Sequence, residues 1–147
     1  PVTRAAFVGA KMAALSLNLA VSLLISALVC YAYSVWLIGP ADLWAFVLQN
    51  ALLLVFLIFC LSLTLMFSSL YKSGLAAGGL AMAAVIVISI LSTFPRIGNY
   101  LPGKLPGWGV SIITGTGQNY WWALGITLVL TLVCLYLSQH IVKRKDL

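Results

Sequence analysis

Long apolar runs separated by single charges dominate the pattern of this chain. Between Lys11 and Asp42 stand 30 uncharged residues, and between Asp42 and Lys72 another 29. Lys72 and Arg96 are separated by 23 such residues, and Lys104 and Lys143 by 38. A bilayer core about 30 Å thick is crossed by roughly 20 apolar residues at about 1.5 Å each, so each run has room for one spanning helix. The pattern predicts spans near 12–37, 44–69, 74–94 and 121–141. The runs are continuously apolar, without the in-and-out alternation of a barrel wall, and a helix satisfies its own backbone groups in hydrocarbon. The expected class is an all-α integral membrane protein, with one membrane domain over 1–147.

Composition sharpens this reading. Of 147 residues 63% are hydrophobic and 7% charged, with a mean hydropathy of +1.14. Soluble domains carry about 25% charged residues, so a water-soluble particle is excluded. The two acids, Asp42 and Asp146, leave almost no carboxylate for acid–base chemistry, and the chain is not expected to be an enzyme. Lys and Arg concentrate on cytoplasmic flanks of spans. With four spans, one side carries Arg4, Lys11, Lys72, Lys143, Arg144 and Lys145, and the other Arg96 and Lys104. Both termini are therefore expected in the cytoplasm. Trp36, Trp44, Tyr100, Trp108, Tyr120, Trp121 and Trp122 gather near the outer ends, as an interfacial aromatic belt would. The net charge of +6 then reflects topology, and no clustered basic face is left for nucleic acid.

The connections differ in kind. Gly39-Pro40-Ala41-Asp42 is a tight outer turn, and Tyr71-Lys72-Ser73-Gly74 an equally short inner one, which makes the second and third spans antiparallel neighbours. The connection 95–120 mixes Pro95, Pro102 and Pro106 and six glycines with Ile97, Leu101, Leu105, Trp108, Val110, Ile112 and Ile113. A free aqueous loop would not carry so many large apolar groups. The content predicts short helical pieces re-entering the outer leaflet, their broken backbone covered by protein; the alternative is an ordered cap on the membrane surface. The chain begins at Pro1 without a signal-peptide pattern. The basic stretch PVTRAAFVGAK ahead of the first span looks like a cytoplasmic connection, and further helices are expected upstream.

Pro1-Val2-Thr3-Arg4 followed by Gly9-Ala10-Lys11, then Ser68-Ser69-Leu70-Tyr71-Lys72-Ser73, then Tyr100-Leu101-Pro102, and finally Lys143-Arg144-Lys145-Asp146-Leu147 give an ordered set of matches. In layout and motif order the chain resembles the C-terminal four of six spans of a type-2 ABC exporter permease, the membrane subunit of bacterial export systems. Gly9 and Lys11 are separated by Ala10, where the family often has the pair adjacent. The resemblance implies that 1–11 is the end of a cytoplasmic coupling segment, and that the tail at 142–147 is cytoplasmic. It also implies short re-entrant helices between the last two spans. By the same resemblance the chain would sit in a bacterial plasma membrane as part of an alternating-access pathway. It would pair with a second copy or a homologous permease and dock a cytoplasmic ATPase subunit through Arg4 and Lys11. Those cations are equally suited to facing lipid phosphates as topology determinants. No G-x-x-x-x-G-K-[ST] loop is present, so ATP, the one cofactor implied, belongs to the partner subunit.

Candidate pathway residues are few. Asn18, Ser22, Ser26 and Cys30 recur every four positions on one helical stripe, Gln49 and Asn50 lie in the outer third of the second span, and Ser89, Ser92 and Thr93 lie near the outer end of the third. Polar groups in hydrocarbon are expected to face a bundle interior or cavity, either lining a path or bonding between helices. Gly74 and Gly78 form a GxxxG pair, extended by Ala77 and Ala81 and by Gly79 and Ala83, suited to close helix packing. Cys30, Cys60 and Cys134 stand in separate spans without metal spacing and read as buried free thiols. His140 is a lone interfacial histidine, and Gly115-Thr116-Gly117 lacks the Lys of a phosphate loop.

Two rival classes remain. A small four-helix multidrug antiporter needs a membrane-embedded carboxylate for proton exchange, which neither Asp42 in a turn nor Asp146 in the tail supplies. A non-transporting membrane anchor or immunity-type subunit needs only a binding face. In a chain whose native cysteines are replaced, a cysteine at position 103 is expected to react with an impermeant maleimide from outside the cell; reaction only from the cytoplasm would reverse the orientation.

Overall fold

A computed structural model describes residues 4–40, 42–71, 73–94, 96–117 and 119–144, with the side chains of 4, 5, 7, 8, 143 and 144 outside that description. The chain is an all-α membrane protein. Helices α1 (Arg4–Ile38), α2 (Leu43–Leu70), α3 (Gly74–Leu91), α4 (Lys104–Thr114) and α5 (Trp121–Arg144) follow in order, with a 3₁₀ turn at Gly98–Tyr100 between α3 and α4. Four of them are long and apolar enough to cross a membrane, over Gly9–Ile38, Leu43–Leu70, Gly74–Leu91 and Trp121–Val142. The start of α1 and the end of α5 therefore lie at one end of the bundle, called here the terminal end, and the connection between α3 and α5 at the other, the loop end.

Local chemistry sets the boundaries. Gly39, at φ 108°, turns α1 back on itself, in a backbone region open to Gly and strained for other residues. Asp42 then caps α2 by accepting the Trp44 amide at 3.0 Å. Ser73 caps α3. The sequence expectation carried the third span to 94, but α3 ends at Leu91. Its last turn tightens through Thr93 N to Ile90 O and Phe94 N to Leu91 O, because Pro95 disfavours helical backbone at the residue before it. The 1–11 segment, expected as a connection, is helical from Arg4 onward and continuous with α1, which is 35 residues long.

The second helix is the hub, touching α1, α3, α4 and α5. Its antiparallel contact with α3 is as expected. Its most extensive contact is with α5, and that pair is parallel. Leu52 and Ala123 share one cluster near the loop end, Phe59 and Cys134 another further along, and the Ser69 and Ser138 hydroxyls stand 2.7 Å apart near the terminal end. On α5 the buried positions Ala123, Thr127, Thr131, Cys134 and Ser138 recur at steps of three and four, so a strip of small side chains faces α2. Small residues at such spacing let backbones approach closely, which is how helices gain van der Waals contact in lipid.

The connection re-enters the bundle. Leu105 and Trp108 of α4 are packed in one cluster with Leu52 and Ala123. Leu52 is nine residues inside the start of α2, about 14 Å along its axis at 1.5 Å per residue. Glycine makes the descent possible. A Cβ on Gly98 would run into the Ser92 backbone, and one on Gly109 would stand 2.9 Å from Gln49 Cγ and 3.1 Å from its Cα. A Cβ on Gly103 would press on the Ser92 side chain, whereas Thr116 is exposed and is the open position of this connection for a labelling cysteine. Gly98→Ala is expected to destabilise the folded bundle by about 1–3 kcal/mol, the scale of an overpacked core. Gly107→Ala, with open space around it, should change stability little. Thermal unfolding in detergent followed by circular dichroism checks both.

Candidate functional site

The residues singled out in the sequence fall into separate places. Asn18, Ser22, Ser26 and Cys30 are all exposed, while Ser16, Leu19, Ala20, Leu23, Ala27 and Tyr31 are half-buried on the packed side of α1. The polar stripe therefore does not turn toward α2, and the Ser22 hydroxyl donates to Asn18 Oδ1 at 3.3 Å along the same helix. Met12 is the one described α1 side chain that is buried, so this helix is held loosely. Lys11 is exposed near the terminal end. The side chain of Arg4, residue Lys72 and the cluster at 143–145 lie outside the described residues or side chains.

Gln49 and Asn50, adjacent in sequence, serve different sides of α2. Gln49 lies against Gly109 of α4. Asn50 lines a cleft between α1 and α2, and its Nδ2 donates to Phe46 O at 2.9 Å. Ser89 and Ser92 lie against Gly103, and the Ser92 hydroxyl donates to Ile88 O at 2.7 Å. Gly74 and Gly78 are exposed and face open space, whereas Ala77 and Ala81 make the α2–α3 contact. Of the small residues in α3, the Ala pair packs within the chain and the Gly pair looks outward.

Other side chains occupy unexpected positions. Trp108 is 4% exposed, so it belongs to the core and not to the aromatic belt. It sits on the inner side of α4 with the Tyr120 and Trp121 rings edge-on at 6.5 and 5.2 Å. Its indole Nε1 has no hydrogen-bond partner among the described residues, a cost of about 1–3 kcal/mol for a buried donor. Trp36, Trp44, Trp121 and Trp122 do stand exposed near the loop end. Cys134 is buried, but Cys60 is only half-buried and Cys30 is exposed. Exposed His140 stands beside the Tyr136 ring at 6.2 Å. Gly115, at φ 69°, closes α4, and the Thr116 amide bonds back to Ser111 O, so the Gly-Thr-Gly run is a helix stop.

The buried polar groups of α2 and α5 went unremarked in the sequence. Ser62, Thr127 and Ser138 are wholly buried. Ser62 and Thr127 donate to carbonyls of their own helices, at 2.7 and 2.6 Å. The signal was present: Thr127, Thr131, Cys134 and Ser138 recur at helical spacing among Leu and Val. These groups are satisfied and form a packing seam. Among the described residues no group of three His, Cys, Asp or Glu could hold a metal ion.

Comparison with known protein families, with curated proteins and with solved structures finds no match to this chain. Trp108→Ala is expected to cost about 3–5 kcal/mol as a large core truncation. Trp108→Phe keeps an aromatic ring and removes the unpaired donor, so it should cost less than half as much. Denaturant titration of the reconstituted protein separates the two variants, and equal losses would show that the indole N–H carries a bond.

Proposed function

We propose that this chain is a transmembrane permease subunit of an ATP-driven exporter. It would form part of a substrate pathway that opens alternately to the two sides of the membrane. One observation carries this reading. The broken helical segment 98–114 is set against α2 and α5 at one end of the bundle, where the permeases that the sequence resembles have short re-entrant helices. The other supports are the basic residues of the terminal end and the loose hold on α1. An ATPase subunit docking at Arg4 and Lys11 would move the element that the bundle grips least. The terminal end is then cytoplasmic, in a bacterial plasma membrane.

The outward polar stripe of α1 supports assembly with further membrane helices, as in a pair of permease subunits. Asn18, Ser22 and Ser26 would line a path only where a partner's helices complete it, since polar side chains left facing hydrocarbon are costly. The same outward stripe favours a second reading, a non-transporting anchor that binds a membrane partner. Transport separates the two.

Export into inverted vesicles is expected to require both ATP and the cognate ATPase subunit. Arg4→Glu and Lys11→Glu should each lower ATP-dependent export roughly tenfold, the scale of one lost charged contact, while Lys104→Glu at the loop end should not. Export driven by a proton gradient without the ATPase would contradict the proposal. For orientation, a cysteine replacing Thr116 should react with impermeant maleimide in intact cells, and one replacing exposed Ser73 only after the membrane is opened.

A further inference from the structure

The helices do not all reach the same height at the loop end. The Ser69 and Ser138 hydroxyls stand 2.7 Å apart, and seventeen residues back along the parallel helices α2 and α5 lie Leu52 and Trp121. Leu52 shares a cluster with Ala123, so the start of α5 is level with Leu52. The third helix stops at the same height. It rises seventeen residues from Gly74 to Leu91, which brings its end level with Leu53 of the antiparallel α2. Phe59 and Leu63, packed with Val85 and Ile88, hold that register. Past Leu52, α2 continues for nine more residues to Leu43, about 14 Å, and α1 turns back on it there.

Tryptophans stand outward at both heights. Trp121 and Trp122 open α5, Trp36 and Trp44 flank the α1–α2 turn, and all four are at least 68% exposed. Trp44 is eight residues beyond Leu52, so it stands about 12 Å above Trp121. Exposed tryptophans at span ends collect at the boundary between lipid and water, and here they mark two boundaries. Charge agrees with the lower one. Arg96 is exposed and lies between Ser92 and Gly98, which touch at the end of α3. A flat boundary at the upper tryptophans would leave Arg96 about 12 Å inside hydrocarbon, where a charge is costly. A flat boundary at the lower pair would lift exposed Ile38, Leu43 and Trp44 into water, leaving large apolar side chains wet. Neither flat surface suits both sides of the bundle.

We propose that the lipid-facing belt of this protein is stepped, so that phospholipid head groups and water of the loop-side leaflet descend about 12 Å beside α3 and α5. At the lower level lipid phosphates meet the Arg96 guanidinium, and around the α1–α2 tip the bilayer keeps its full thickness. The third helix, 18 residues long, spans about 27 Å, whereas α2, with 28 residues, spans about 42 Å. A bilayer accommodates a short span by thinning locally at modest cost. The same descent wets the connection at exposed Thr93 and Asn99, while Leu105 and Trp108 stay packed against Leu52 and Ala123. This goes beyond the exporter reading and stands without it, because depth in the bilayer is measured on the purified chain with no ATPase present.

The test uses the full chain in phosphatidylcholine vesicles whose acyl chains carry bromine at known depths. Two single-tryptophan variants keep either Trp44 or Trp122, with Phe at the other four tryptophan positions. Along the bundle these two side chains differ in height by about 14 Å, nine residues of helix. Bromine quenching of their fluorescence should nonetheless place both indoles at one depth, to within about 5 Å, one helical turn. Depths about 14 Å apart would overturn the proposal, whichever indole lies deeper. So would a Trp44 that escapes quenching, since the hairpin tip would then stand in water. If the Phe-substituted chains do not fold, spin labels decide. With Cys30, Cys60 and Cys134 replaced by Ala, labelled Val47→Cys and Ile90→Cys, both at exposed positions, differ in height by about 10 Å. The two labels should be equally accessible to oxygen and to a water-soluble nickel chelate. One label in hydrocarbon with the other in water would contradict the step.

Discussion

The close parallel contact of α2 with α5 is the interaction on which the rest of this bundle depends. In lipid there is no hydrophobic drive to bring two apolar helices together, so association rests on fit and on hydrogen bonds. Ala123, Thr127, Thr131, Cys134 and Ser138 supply the fit by presenting a narrow strip, and the large partners, Leu52 and Phe59, come from α2. The hydroxyls add little net energy: interhelical bonds in a membrane average about 0.6 kcal/mol. Their importance is that none is left unbonded, since Ser62, Thr127 and Thr131 all return their protons to backbone carbonyls.

The re-entrant segment can exist because that pair exists. Backbone that leaves helical geometry at membrane depth must be covered by protein, and the surfaces that cover 98–114 belong to α2, α5 and the end of α3. The close approaches are made at Gly98, Gly103 and Gly109, where a side chain would strike Ser92 or Gln49. Trp108 then fills the space between α4 and the start of α5, with its ring against Tyr120 and Trp121. Lys104 stays near the Tyr120 ring, its Nζ 5.8 Å from the centroid, so the segment's cation is held at an aromatic face.

How far the molecule was legible in its sequence follows from which forces act locally. Span number, short turns and the re-entrant loop could be read because they reflect backbone satisfaction and charge cost, which act on each segment alone. Neighbour choice could not. Ala77 rather than Gly78 meets α2, one residue round the same helix, and period alone does not say which stripe turns inward. The stripe at Asn18, Ser22 and Ser26 shows the same limit: the tendency of polar groups to face protein holds for a whole assembly, and within this chain the stripe faces out. Trp108 escaped because tryptophans near span ends usually mark an interface, and only the fold of 92–114 turns this one inward.

The most direct test of this account is a cross-link between α2 and α5. Ser69 and Ser138 place their hydroxyls 2.7 Å apart, so the double variant Ser69→Cys/Ser138→Cys should form a disulfide readily. It is made with Cys30, Cys60 and Cys134 replaced by Ala and oxidised in native membranes. Mass spectrometry of the digested chain should find the two helices joined, and moving the second cysteine to exposed Leu137 should slow the reaction sharply. If 69 and 138 stay unlinked, or link no faster than 69 and 137, the parallel α2–α5 pair is wrong and the re-entrant segment loses its support.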